Sequence, residues 1–145
     1  GLVGSEMCIR DSGDLVLHPT VMDALAASGR SVMAVDSTLP LPDKDFKALI
    51  QDGRIRRVGV DCFDAGSVEC QAAYHWQAAD FSSWMDEIER FVERGDVKCY
   101  AENAFNAVSG EIPLYPLECG GRLCAEIDNQ ADREVVLTRF RQEVL

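Results

Sequence analysis

The dipeptide Asp52-Gly53 constrains the fold more than any other pair in the chain. It sits between two apolar, strand-like runs, Phe46–Gln51 and Arg54–Val58. A two-residue connection of this kind closes through a type I′ turn, which needs positive φ at both positions. The pair therefore predicts a hairpin, and with it two neighbouring antiparallel strands. Around this hairpin, strands and helices alternate. Leu15-Val16-Leu17 reads as a strand end. His18-Pro19 opens a helix over Pro19–Ser28, with Pro in the first turn and Gly29 as its stop. Ser31–Val35 reads as a strand, and the Pro-rich STLPLPDKD after it reads as a loop. Gly66–Glu69 is a turn region, and Cys70–Trp76 a strand. Phe81, Trp84, Met85, Ile88, Phe91 and Val92 fall on one face of a helix over Phe81–Arg94, which Gly95 ends. Ala101–Val108 is a short helix. Leu114–Leu117 and Leu123–Ile127 are strands around Gly120-Gly121, and a last helix runs from about Gln130 to Glu143. Helices interleaved with strands, at least one pair of them antiparallel, predict a three-layer α/β fold with a mixed sheet in a single domain.

The first residues do not share this patterning. VGSEMCIRDS (Val3–Ser12) has neither helical spacing nor strand alternation, and Glu6, Arg10 and Asp11 leave no apolar run of the length that a signal peptide would need. Its ten residues resemble the translation of a sequencing-library adapter. Residues 1–12 are therefore expected to be non-native, with the natural gene cut at about Gly13.

Composition narrows the partners. The 145 residues are 47% apolar and 27% charged, with a net charge of −11, or −10 without Glu6, Arg10 and Asp11. Such an acidic domain is poorly suited to nucleic-acid backbones or anionic lipid, while cationic ligands and divalent metals stay open. No apolar run approaches the roughly 20 residues of a membrane span. Of the six cysteines, Cys8 lies in the N-terminal stretch. The other five, at 62, 70, 99, 119 and 124, have no zinc-site spacing and read as reduced thiols of a cytoplasmic protein.

Two acidic groups stand out. Gly13-Asp14 precedes an apolar run. Glu126 and Asp128 lie on the same side of a strand end just before a helix, where two carboxylates can hold a divalent ion. Asp128 or Asn129 serving as N-cap of that helix is the alternative, and the two roles can coexist.

The C-terminal half resembles a family. CYAENAFNAV (99–108) is similar to the Tyr-x-Glu-Asp/Asn-Ala-Phe/Leu-Asn segment of small nucleotidyltransferases. GGRLCAEIDNQADRE (120–134) is similar to their Gly-Gly-x-x-Trp-x-Glu-Ile-Asp-x-x-x-Asp segment. Gly13-Asp14, HPTVMDALAASG (18–29) and VDSTLP (35–40) resemble the Gly-Asp strand, its helix and the next strand. The resemblance spans nearly all of 13–145. It points to phosphocholine and phosphonate cytidylyltransferase-like enzymes within the sugar-phosphate nucleotidyltransferases.

The resemblance implies a Rossmann-like, three-layer mixed sheet of the nucleotidyltransferase type. Residues 13–145 would form the C-terminal part of one such domain. It implies CTP or another nucleoside triphosphate as one substrate, a small phosphate or phosphonate as acceptor, and release of pyrophosphate with the help of Mg2+. Carried onto this chain, Asp14 and Asp128 would be the catalytic metal carboxylates. Glu126 would assist, and Tyr74, Trp76, Tyr100 and Glu102 would lie near the acceptor. Core packing is the alternative for the three aromatics. An aromatic, acidic pocket suits a quaternary ammonium through cation–π contact.

Two departures follow. Cys124 stands where relatives often carry Trp, which leaves phosphonate or another alcohol phosphate more open than phosphocholine. The family's Gly-rich nucleotide loop, with its Arg and Lys, has no counterpart, so the N-terminal nucleotide-binding strands are expected to be lacking. The chain as given is expected to be inactive, and its longer parent active. A sugar-1-phosphate nucleotidyltransferase using another base and a non-catalytic α/β interaction domain are the competing expectations.

Overall fold

In the computed structural model, which describes residues 2–3, 7–10 and 14–145, the expected hairpin forms. Strands β5 (Lys47–Gln51) and β6 (Arg54–Gly59) pair antiparallel. The turn has φ of 53° at Asp52 and 75° at Gly53, the signs a type I′ turn requires. The remaining elements are β1 (Leu2–Val3), β2 (Met7–Arg10), β3 (Leu15–Leu17), α1 (Pro19–Ala26), β4 (Val32–Asp36) and β7 (Ser67–Gln77), then α2 (Ala78–Glu93), α3 (Ala101–Val108), β8 (Tyr115–Glu118), β9 (Cys124–Glu126) and α4 (Gln130–Glu143).

The main sheet runs β1-β2-β7-β4-β8, with β5 and β6 attached beside β7. The long strand β7 organises it. One edge pairs with β4; the other pairs with β5 through Ser67–Glu69 and with β2 through Tyr74–Gln77. Among the described residues only β4 and β8 run parallel, so the sheet is mixed. A separate two-stranded sheet joins β3 to β9.

β4 is buried at every position, which is why it reads as an unbroken apolar run rather than an alternation. Met33 and Val35 face one core; Val32 and Ala34 face the other. The first core packs the sheet against α2 and α3. Its aromatic centre is Tyr74, Trp76, Trp84 and Phe105, and Trp84 Nε1 donates to the Ala101 carbonyl at 2.9 Å, tying α2 to α3. The second core packs α1 and the small sheet against the opposite face through Val21, Leu25, Cys119 and Cys124. These are the three layers.

Several boundaries differ from the sequence reading. β7 begins at Ser67 and absorbs most of the expected turn; the chain reverses at Gly66, where φ is 91°. α2 begins at Ala78, because the backbone continues straight from β7 into the helix. α1 ends at Ala26 with Ala27 as its cap, so Gly29 is not its stop. Val92 is 57% exposed, which makes the buried face of α2 narrower than its apolar spacing. Residues 2–3 and 7–10, which lack strand alternation, nonetheless form strands. Backbone pairing along the free edge of β7 requires no particular side chains.

Candidate active site

The small sheet assembles the acidic centre. Antiparallel register sets Leu15 opposite Glu126, and the Ile127 amide donates to the Asp14 carbonyl at 3.0 Å. Asp14, just before β3, is thereby brought beside Glu126 and Asp128, just at and after the end of β9. The capping alternative resolves in favour of Asn129. Its side chain accepts from the Asp132 amide at 2.8 Å, while the Asp128 amide donates to Asp132 Oδ2 at 3.1 Å. The Asp128 carboxylate is left free of capping duty.

That carboxyl hydrogen-bonds with the Asp14 side chain. Desolvation, the negative charges of Asp14 and Asp132, and this bond together push the Asp128 carboxyl above its ordinary value. Glu126 is pushed up too, by burial first and then by Asp128, Asp14, Asp45 and Asp132. The negative charge that raises the proton affinity of Asp128 and Glu126 also favours a cation.

The centre opens onto a cavity of about 270 Å³. Glu126, Asp128 and Asp132 form one wall; Lys44, Asp45, Phe46, Gln71 and Tyr100 are among the residues of the others. Tyr100 and Phe46 meet edge to face, with centroids 4.9 Å apart. Behind the cavity, Gln71 Nε2 donates to Glu69 Oε1 at 2.6 Å. Burial raises the Glu69 carboxyl to about 6, against the effect of that bond and with help from Asp36, Asp45 and Glu118.

Of the residues singled out in the sequence, Asp14, Glu126, Asp128 and Tyr100 come together here. Tyr74, Trp76 and Glu102 lie in the first core instead and do not line the cavity. Tyr74 and Trp76 are 2% and 0% exposed, their rings stacked at 5.4 Å, and the Tyr74 hydroxyl donates to buried Glu102 at 2.9 Å. Cys124 is likewise buried, its thiol against that of Cys119 in the second core. Asp45, Phe46 and Gln71 were not foreseen. Asp45 and Phe46 close the Pro-rich loop, whose composition shows only that it is a loop. Asp132 was in view as the last residue of the Glu-Ile-Asp-x-x-x-Asp pattern.

Among the described residues, no three or more His, Cys, Asp or Glu side chains are grouped to hold a metal ion. A pair of carboxylates fits Mg2+ all the same, because this ion commonly takes one or two carboxylates and completes its shell with water and substrate phosphate.

No protein-family model and no curated protein matches the sequence. Solved structures do match the fold. The inositol-1-phosphate CTP transferase from T. maritima aligns with TM-score 0.67 and 17% identity, over 99% of this chain and 59% of that one. A putative glucose-1-phosphate thymidylyltransferase from Bacillus anthracis gives 0.65 and 17%, over 94% and 56%. The CTP:phosphocholine cytidylyltransferase from Streptococcus pneumoniae gives 0.62 and 17%, over 90% and 56%. The architecture is the three-layer, mixed α/β fold of nucleotidyltransferases. The chain spans just under three fifths of the length of these structures.

Proposed function

We propose that the chain is the acceptor-side part of a nucleotidyltransferase that joins a small phosphate or phosphonate to the nucleotidyl group of a nucleoside triphosphate, CTP being favoured. The observation that carries this reading is the Asp14–Asp128 pair, brought together by β3–β9 register, with Asp128 lining an acidic, aromatic-walled cavity. The fold of solved nucleotidyltransferases supports it.

In the reaction an acceptor oxygen bonds to the α-phosphorus as the bond from that phosphorus to the bridging oxygen breaks, and pyrophosphate leaves. Asp14 and Asp128 would hold Mg2+, which supplies neutralisation of phosphate charge when bound. Glu126 fixes the geometry of the pair from within the strand. Tyr100 and Phe46 form the face against which the acceptor body rests, and the surrounding carboxylates favour a cationic one. Tyr74, Trp76 and Glu102 act from behind, by fixing α3 and with it Tyr100 at its start.

The test is pyrophosphate release in the natural gene product containing residues 13–145. Each of the four triphosphates is paired with phosphocholine, an aminoalkylphosphonate and a sugar 1-phosphate. Turnover with CTP and a phosphocholine or phosphonate acceptor is expected, and none from residues 1–145 alone. Preference for a sugar phosphate and another base would select the alternative enzyme class. No turnover with any pair would leave the non-catalytic reading.

A further inference from the structure

The cavity wall formed by the Pro-rich loop is held by a buried cation. Lys47 is 0% exposed, at the start of β5, on an otherwise apolar strand end. An ammonium has three donors and no acceptor, and a buried one must find three acceptors. Lys47 Nζ donates to the Pro42, Asp45 and Asp43 carbonyls, at 2.6, 3.0 and 3.4 Å. All three belong to the loop, and none is a carboxylate. The remaining face of the ammonium lies 4.3 Å from the centroid of the Phe63 ring. The same short loop supplies Lys44, Asp45 and Phe46 to the cavity. Its two prolines and exposed charges give it no apolar anchor of its own before Phe46.

We infer that Lys47 is a positioning residue: its buried ammonium folds the 42–45 backbone around itself and so sets the wall against which the acceptor binds. This rests on the reading of the cavity as the acceptor site. The point charge matters more than the hydrogen bonds taken singly, because one ammonium gathers three carbonyl dipoles that would otherwise repel. The loop lines the cavity read here as the acceptor site, so the effect is expected at the acceptor.

Lys47→Met keeps the stem and removes the charge; Lys47→Arg keeps the charge with a different shape. Both are compared with wild type in the natural gene product, by limited trypsin digestion and by acceptor and triphosphate KM. In Lys47→Met, cleavage after Lys44 is expected to accelerate about tenfold while cleavage after exposed Arg94 stays constant. Acceptor KM is expected to rise about tenfold, with kcat and triphosphate KM close to wild type and Lys47→Arg in between. Unchanged cleavage after Lys44 overturns the inference whatever the reaction proves to be, and so does an acceptor KM equal to wild type's. Absence of wild-type turnover with every substrate pair fails the nucleotidyltransferase reading instead, and accelerated cleavage after Lys44 then still supports the anchored wall.

Discussion

Two carboxyls show at the residue scale how placement sets chemistry. Glu69 is nearly buried, and its carboxyl holds a proton up to about pH 6 instead of the ordinary 4.5. A raised folded value means that its stabilising contribution is fully present below about pH 4.5 and lost as pH rises through about 6. The loss amounts to about 2 kcal/mol. Glu69→Gln, which cannot ionise, is therefore expected to gain about 2 kcal/mol on wild type between pH 4.5 and 7, read from paired thermal melts. An identical difference at both pH values would show the group to be unperturbed. Asp128 differs because it is exposed and faces other carboxylates. Asp128→Asn is expected to lower turnover by about two to three orders of magnitude without lowering the melting temperature, since it removes repulsion. Added Mg2+ should raise the melting temperature of wild type but not of this variant. A variant that melts early and still turns over would identify Asp128 as a structural residue.

Glycines and aromatic anchors decide matters at the level of elements. Gly53 and Gly66 both have positive φ, but a Cβ on Gly53 meets nothing within 4 Å, whereas one on Gly66 would lie 2.8 Å from the Ile50 carbonyl oxygen. Alanine should cost about 1 kcal/mol at Gly53 and about 3 kcal/mol at Gly66, measured by denaturant unfolding. Equal costs would show that the turn before β7 relaxes freely. Legibility in the sequence follows the same division. The hairpin was legible because Asp-Gly specifies its own turn locally, and α2 and the start of α4 because apolar spacing and an Asx cap are local as well. Asp14, Glu126 and Asp128 were found through short patterns on adjoining strand ends. Gly66, by contrast, gave no sign of the Ile50 carbonyl above it, and β7 was read three residues short at its start because the pairing that extends it there comes from β5. Tyr74 and Trp76 carry the same side-chain chemistry in a core as in a binding pocket; only the packing of α2 and α3 distinguishes the two. The Phe46 side of the cavity was invisible for the same reason, since a loop's position is fixed by what anchors it.

For the molecule as a whole, the edge of β7 is the weak line. Its Tyr74–Gln77 segment pairs outward with β2, within the stretch that resembles an adapter. Residues 13–145 expressed without that stretch would present an unpaired edge. Aggregation is expected on size-exclusion chromatography, and a soluble monomer with a sharp cooperative melt would count against it. The layering also shapes the cavity. Glu126 and Asp128 follow from the small sheet, whereas Phe46, Gln71 and Tyr100 belong to the large sheet and its helices. The direct backbone link from β8 to β9 is residues 119–123, with φ of 61° at Gly120 and 83° at Gly121, and the Gly121 amide donates to buried Asp36 at 2.8 Å. The site is thus a caliper, with one jaw on each sheet and a two-glycine joint clamped by Asp36. Its joint does not line the cavity, so loosening that turn would be felt at both jaws without altering any residue of either.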